Sequence, residues 1–163
     1  MKNALLIFTL MTTLSAMAQN GEATTIKKTF NRTTSISETI NADVSVIWAL
    51  LTNASDFARW NSTIICIEGE IRQGEKIQLK STLDSTRTFK LKVKEVVPSQ
   101  KLVWGDAMGE RTYVLEKTGD VTLFTMTEKI GSFMFPLFAN KIPSFDDSFE
   151  QFVADLKKEA ESK

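Results

Sequence analysis

The chain has 163 residues, with 20 basic and 20 acidic side chains, no histidine and one cysteine. Charge balance argues against a nucleic-acid surface, which shows a basic excess or stripe, and the lack of histidine excludes His-dependent triads, histidine general bases and histidine-liganded metal. Cys66 alone permits neither an internal disulfide nor a cysteine-based metal site, and no cofactor is implied; a free cysteine of this kind is expected as a small buried hydrophobe.

Residues 1–18 read as a secretory signal peptide. Lys2 supplies the positive start, Ala4 to Leu14 the apolar stretch, and Ala16-Met17-Ala18 the small-x-small cleavage site. The apolar run falls short of the ~20 residues of a bilayer span, and no cysteine follows the cleavage site to carry a lipid, so no stable membrane anchor is expected after cleavage. Removing Lys2 from the balance of 20 and 20 leaves a formal charge near −1. The expectation is a periplasmic or secreted protein beginning at Gln19, long enough for one domain with a real core.

Residues 19–34 are polar, with Thr24, Thr25, Lys27 and Lys28, and read as a tether leading into a domain over 35–160. Ser35 to Ile40 alternates as a first strand, Ile36, Glu38 and Ile40 on one side. Asp43 suits the N-cap of a helix from Val44 to about Thr52, and Ser55 that of a short second helix ending near Asn61. Two helices with no room for a parallel crossover suggest a pair plugging one end of a sheet.

From Ser62 to Ser132 the period is two, with turn residues between runs, as in antiparallel hairpins. Strands are expected over Thr63–Glu70, Lys76–Leu83, Phe89–Val96, Lys101–Gly105, Arg111–Lys117 and Val121–Ile130. In the third of these Phe89, Leu91 and Val93 face in while Lys90, Lys92 and Lys94 face water. Gly119 at the first central position of Thr118–Val121 suits a type II′ turn. Counting outward pairs Leu115 with Phe124, Tyr113 with Met126 and Arg111 with Glu128, one apolar row on each strand. Arg111 and Glu128 thus oppose each other on the apolar face, either as a structural ion pair or as a polar handle at a cavity mouth.

Ser132 to Ile142 breaks the alternation. Phe133, Met134, Phe135, Leu137 and Phe138 crowd around Pro136, which disfavours a long helix. The segment is expected to be a loop or short helix, either lining an entrance through Phe133 and Phe135 or folded into the core. Pro143 to Ala160 then places Phe145, Phe149, Phe152, Val153 and Leu156 on one helical stripe. Ser144 is the expected N-cap, with Asp147 as its capping-box partner.

The order strand, two short helices, six strands, long helix resembles the helix-grip fold of the START-like, or SRPBCC, superfamily, which includes polyketide cyclase/dehydrase-like proteins. The strings that carry it are "INADVSVIWALLTNASDFARWN", "IEGEIRQGEKI", "VVPSQKLVWG" and "TEKIG". The expected class is α+β: a curved seven-stranded antiparallel sheet around a long C-terminal helix. Small bacterial members carry Trp-Asn after the second helix, here Trp60-Asn61, usually followed by proline where this chain has Ser62. They often carry a histidine in each of the last two strands; here Arg111 and Met126 stand at those positions.

The resemblance implies a deep apolar cavity between sheet and helix for a lipid, sterol, polyketide or other hydrophobic small molecule. The inward residues Phe89, Leu91, Trp104, Tyr113, Met126 and Phe149, with polar groups among them, suit such a pocket. With Trp60, Asn61, Arg111, Glu128, Phe133 and Phe135 they form the candidate binding set. The leading reading is an exported binding or carrier protein. A second is a cyclase or hydrolase using Glu128 as base with Arg111 or Tyr113 steadying an oxyanion, against which stand the facing arginine and the lack of an activated nucleophile. A third is a protein-interaction module like the START-like activators of heat-shock ATPases, against which export counts.

Overall fold

A computed structural model describes residues 21–163; the expected signal peptide and cleavage site lie outside the described residues. The elements run β1 Thr24–Lys27, β2 Asn31–Ile40, α1 Val44–Thr52, a 3-10 turn Ala54–Asp56, α2 Phe57–Trp60, β3 Ile64–Glu68, β4 Lys76–Ser81, β5 Asp84–Val97, β6 Lys101–Gly105, β7 Gly109–Thr118 and β8 Val121–Gly131. Two further 3-10 turns, Phe135–Leu137 and Ala139–Lys141, precede α3, Asp146–Glu161. The strands form one antiparallel sheet in the order β1-β2-β8-β7-β6-β5-β4-β3.

The sheet has eight strands rather than seven. The extra strand, β1, lies in the segment read as a tether and pairs with β2 from Thr24 opposite Ser35 to Lys27 opposite Arg32. Its one aliphatic residue, Ile26, points to solvent, so no apolar alternation betrays it. Thr25 instead faces inward and donates to Asp146 of α3, and the Ala23 N–H donates to Glu150. β2 likewise starts four residues earlier than expected. Arg32, Thr34, Ile36, Glu38 and Ile40 are all buried, one inward row whose first two members are polar.

The β7–β8 hairpin has the register expected from its turn. Thr118 opposes Val121, Leu115 opposes Phe124, Tyr113 opposes Met126 and Arg111 opposes Glu128. Gly119 takes φ +62°, which is the conformation a type II′ turn asks of its first central residue. Bulges interrupt β4 between Leu79 and Ser81 and β5 between Val93 and Glu95; such irregularities bend strands and increase local twist. Asp43 caps α1 as expected, its Oδ1 accepting from the Ser45 N–H at 2.9 Å. The Ser45 hydroxyl, which also donates to Oδ1, and then Lys117 and the Ser45 N–H pull the Asp43 carboxyl well below the ordinary range.

α3 lies across the concave face with Phe149, Phe152, Val153, Leu156 and Ala160 buried. The expected capping box is absent: the helix begins at Asp146 with Phe145 at the cap position and no side-chain cap bond. Ser144 falls one residue too early and instead exchanges hydrogen bonds with Asp146. Asn61 joins the small helices to α3. Its Nδ2 donates to the Phe152 carbonyl at 3.2 Å, and its Oδ1 accepts from the Thr63 N–H and hydroxyl. Cys66 is only half-buried, because the edge strand β3 is irregular between Ile64 and Cys66.

Candidate functional site

The helix covers the inner face incompletely. Toward one end of the sheet β4, β5, β6 and β7 extend past its N-terminus, and the segment 138–148 roofs the gap. The resulting cavity holds about 290 Å³. Its floor is Leu79, Phe89, Leu91 and Trp104, and its roof is Phe138, Ile142, Pro143 and Phe145. Met108 and Ile130 close the side, and Arg111 and Glu128 form the polar part of the wall.

Two glycines let the chain close tightly at the β6–β7 turn beside the cavity. A Cβ on Gly105 would stand 2.2 Å from the Gly109 carbonyl oxygen, so the backbone there approaches closer than any side chain allows. Asp106 fixes this turn by accepting from the N–H groups of Met108 and Gly109 at 2.7 and 2.8 Å. The Arg111 Nε donates to Glu128 Oε2 at 2.6 Å, with 19% and 14% of the two side chains still exposed. Arg111 also lies over the Phe149 ring at 5.1 Å, a cation–π contact that α3 contributes. Burial pulls the Arg111 guanidinium down, but the Glu128 carboxylate and the Tyr113 hydroxyl beside it more than offset this. Arg111 therefore stays charged at any working pH.

Tyr113 is buried behind this pair, its ring T-shaped against Trp104 at 5.1 Å and stacked on Phe152 at 5.8 Å. Its hydroxyl is sealed from solvent without a hydrogen bond of proper geometry, although Arg111 is near enough to affect its titration. Burial pushes its pKa up to about 12.

Five of the twelve sequence-derived candidates meet at the cavity: Phe89, Leu91, Trp104, Arg111 and Glu128. Tyr113, Met126, Phe149 and Trp60 instead pack in the core, and Asn61 is spent on the bridge to Phe152. The other two lie apart. Phe135 is buried beneath the β1–β2 turn, next to a second, polar cleft, and Phe133 is 84% exposed with its ring stacked on Phe30. The proline at 136 splits the segment into two short turns, so only its later part, from Phe138, reaches the cavity.

Sequence reasoning missed Met108, Lys141, Ile142, Phe145 as a lining residue, and Arg87, which stacks over Phe89 at 4.6 Å. It also missed Arg32, whose guanidinium donates to the carbonyls of Ile142 and Pro143 at 3.3 and 2.8 Å and covers the Phe145 ring. The alternation running back from Ile36 through Thr34 was the available signal. Among the described residues no group of three His, Cys, Asp or Glu side chains gathers to hold a metal.

Several solved structures share this architecture. A conserved protein of unknown function from Enterococcus faecalis superposes with a TM-score of 0.61 at 16% identity, covering 83% of this chain and 75% of that one. A protein from Mesorhizobium loti gives 0.64 at 18% identity, over 81% and 98% of the two chains. A START superfamily protein from Mycobacterium smegmatis gives 0.59 at 13% identity, over 80% and 97%. At such identities the likeness is one of fold. No curated protein sequence gives a match. The model of the family described as "Activator of Hsp90 ATPase homolog 1-like protein" matches residues 41–161. By that match and by its helix-grip architecture, the chain belongs to the activator of Hsp90 ATPase homolog 1-like family of the START-like, or SRPBCC, superfamily.

Proposed function

We propose that the protein is an exported binding or carrier protein for a hydrophobic small molecule, lipid-like or polyketide-like, held between the sheet and α3. The observation that carries this reading is the cavity of about 290 Å³ with aromatic and aliphatic walls and one fixed ion pair among them. Small-molecule sites tend to combine a largely apolar lining with a few placed polar groups. The Arg111–Glu128 pair serves as the orienting handle: Arg111 offers N–H donors beyond the one Glu128 takes, and Glu128 keeps an oxygen that Arg111 Nε does not use. A ligand hydroxyl or carbonyl meets both donor and acceptor there. Native mass spectrometry of freshly purified protein, followed by solvent extraction, tests the reading. A bound apolar compound displaced by Leu91→Trp supports it, whereas protein that is ligand-free and takes up no fatty acid, sterol or polyketide probe overturns it.

Export rests on the first eighteen residues. Intact mass of the protein recovered from its host is expected to begin at Gln19, and a product retaining Met1 in the cytoplasm would overturn the localisation. One observation favours a second reading, activation of a chaperone ATPase: the family that matches is named for such an activator. Stimulation of Hsp90 ATP hydrolysis by the purified chain distinguishes it, and export predicts none.

A further inference from the structure

Eight large apolar side chains are exposed among the described residues, and seven of them gather at one end of the molecule. The strand registers dictate this. Gly109 opposes Ile130 and Asn31 opposes Gly131, so the β1–β2 turn, the β6–β7 turn and the loop after β8 converge. Backbone bonds stitch them: Ser132 N–H to Phe30 O at 3.1 Å and Gly131 N–H to Met108 O at 2.9 Å. The β4–β5 turn, with Leu83, projects the same way. Phe133 and Leu137 are 84% and 73% exposed, and Met134, Phe30, Ile26 and Met108 lie around them. This is also the end at which the cavity opens, since Leu83 and Met108 line it as well.

The charged groups there are unevenly engaged. Lys27, Lys28, Arg87 and Lys141 have no ion-pair partner among the described residues. Asp84, Asp106 and Asp146 accept only from neutral hydroxyl or backbone N–H groups and keep their charge, as does the exposed Asp147. The cationic excess lies at the β1–β2 turn, where Lys27, Lys28 and Arg32 line one cleft with Asp146 as its single carboxylate. An apolar cluster on turn tips, flanked by Lys27 and Lys28, is suited to the interface of an anionic bilayer. Aromatic and aliphatic tips enter the headgroup boundary, and lysines add electrostatic attraction.

We infer that this end of the molecule is a membrane-docking surface for anionic lipid, with Phe133, Met134 and Leu137 as the inserting tip and Lys27 and Lys28 of the neighbouring turn as its basic contact. The inference stands on exposed residues and does not depend on what the cavity holds. Its failure and that of the carrier reading are therefore separate results.

The test is co-sedimentation with phosphatidylcholine vesicles, with and without phosphatidylglycerol. The protein is purified from cells expressing the whole chain, and its N-terminal residue is fixed by intact mass. Binding is expected only with the anionic lipid. Phe133→Ser with Leu137→Ser should weaken it by about tenfold or more, with the melting temperature little changed because both side chains are largely exposed and Phe133 stacks only on the half-exposed Phe30. Lys27→Gln with Lys28→Gln should weaken it more than about fivefold, since each lysine near such a surface contributes ~1 kcal/mol, and salt should do the same. Independently, Phe133→Trp should gain a blue-shifted emission component when anionic vesicles are added. Three outcomes overturn the proposal: no vesicle binding, vesicle binding indifferent to these substitutions with no spectral shift at position 133, or a protein complex, including self-association, that takes up Phe133 instead of lipid.

Discussion

Arg111 and Glu128 hold each other across β7 and β8 while both still border the cavity, so each substitution there has a structural and a binding consequence. Removing one partner leaves a poorly hydrated charge. Glu128→Ala is expected to lower stability by about 2–4 kcal/mol, near the lower end for breaking a buried pair. Arg111→Leu combined with Glu128→Leu should recover much of that loss in urea melts yet weaken binding of a hydroxylated ligand. If Glu128 were a catalytic base, Glu128→Gln would keep affinity and abolish turnover of an ester or polyketide substrate; the tight pairing with Arg111 predicts no such turnover. Tyr113 gives a pH test. Its folded pKa is raised to about 12 against ~10 in an unfolded chain. The protonated phenol therefore contributes stability fully below pH ~10, and that contribution is lost as pH rises through the folded value. Urea midpoints should fall on the alkaline side between about pH 10 and 12. Tyr113→Phe should flatten that fall and leave neutral stability unchanged or higher by ~1 kcal/mol, because it removes an unpartnered hydroxyl. The sequence revealed which residues face inward here, because alternation and one glycine turn are local. It could not reveal that Tyr113 and Met126 lie deeper than Arg111 and Glu128, since that depends on how far the helix reaches along the strands.

At the level of elements, α3 divides its duties along its length. Phe149 is fully buried and away from the cavity, and Phe149→Ala should cost about 3–5 kcal/mol, as aromatic truncations in packed cores do. Phe145 is only half-buried and roofs the cavity, so Phe145→Ala should cost less than ~2 kcal/mol and show mainly as ligand loss. Thermal melts paired with ligand titration separate the two. Asn61 is the other hinge point of this layer: Asn61→Leu breaks the bridge to Phe152 and strands the Thr63 hydroxyl, at about 2–3 kcal/mol. Trp60-Asn61 was legible as a motif, but its work is cohesion of helix to helix. The capping box at Ser144 failed for a related reason: Thr25 and Ser144 both bond Asp146, and the first turn is set by the sheet edge rather than by a local cap.

For the molecule as a whole, element order and hairpin register were legible because each depends on neighbours in sequence. β1 and the roof were not: β1 pairs locally with β2 but shows no apolar alternation, and its inward contacts, like those of the roof, join residues more than a hundred positions apart. Thr25 and Arg32 are polar residues whose inward placement makes sense only once α3 and the segment before it are in position. Arg32 carries a further consequence. The roof is tied to the sheet by the Arg32 guanidinium on two of its carbonyls and by Thr25 on Asp146, so on the carrier reading Arg32 is one of the ties that must part for a ligand to pass. Uptake and release should then be slow and proportional to each other. Arg32→Lys, which cannot bind both carbonyls with one planar fork, should speed both by roughly tenfold while leaving the equilibrium constant nearly level. Stopped-flow exchange of a fluorescent fatty acid reads residence time directly, and equal rates in the variant and the parent chain would overturn the expectation.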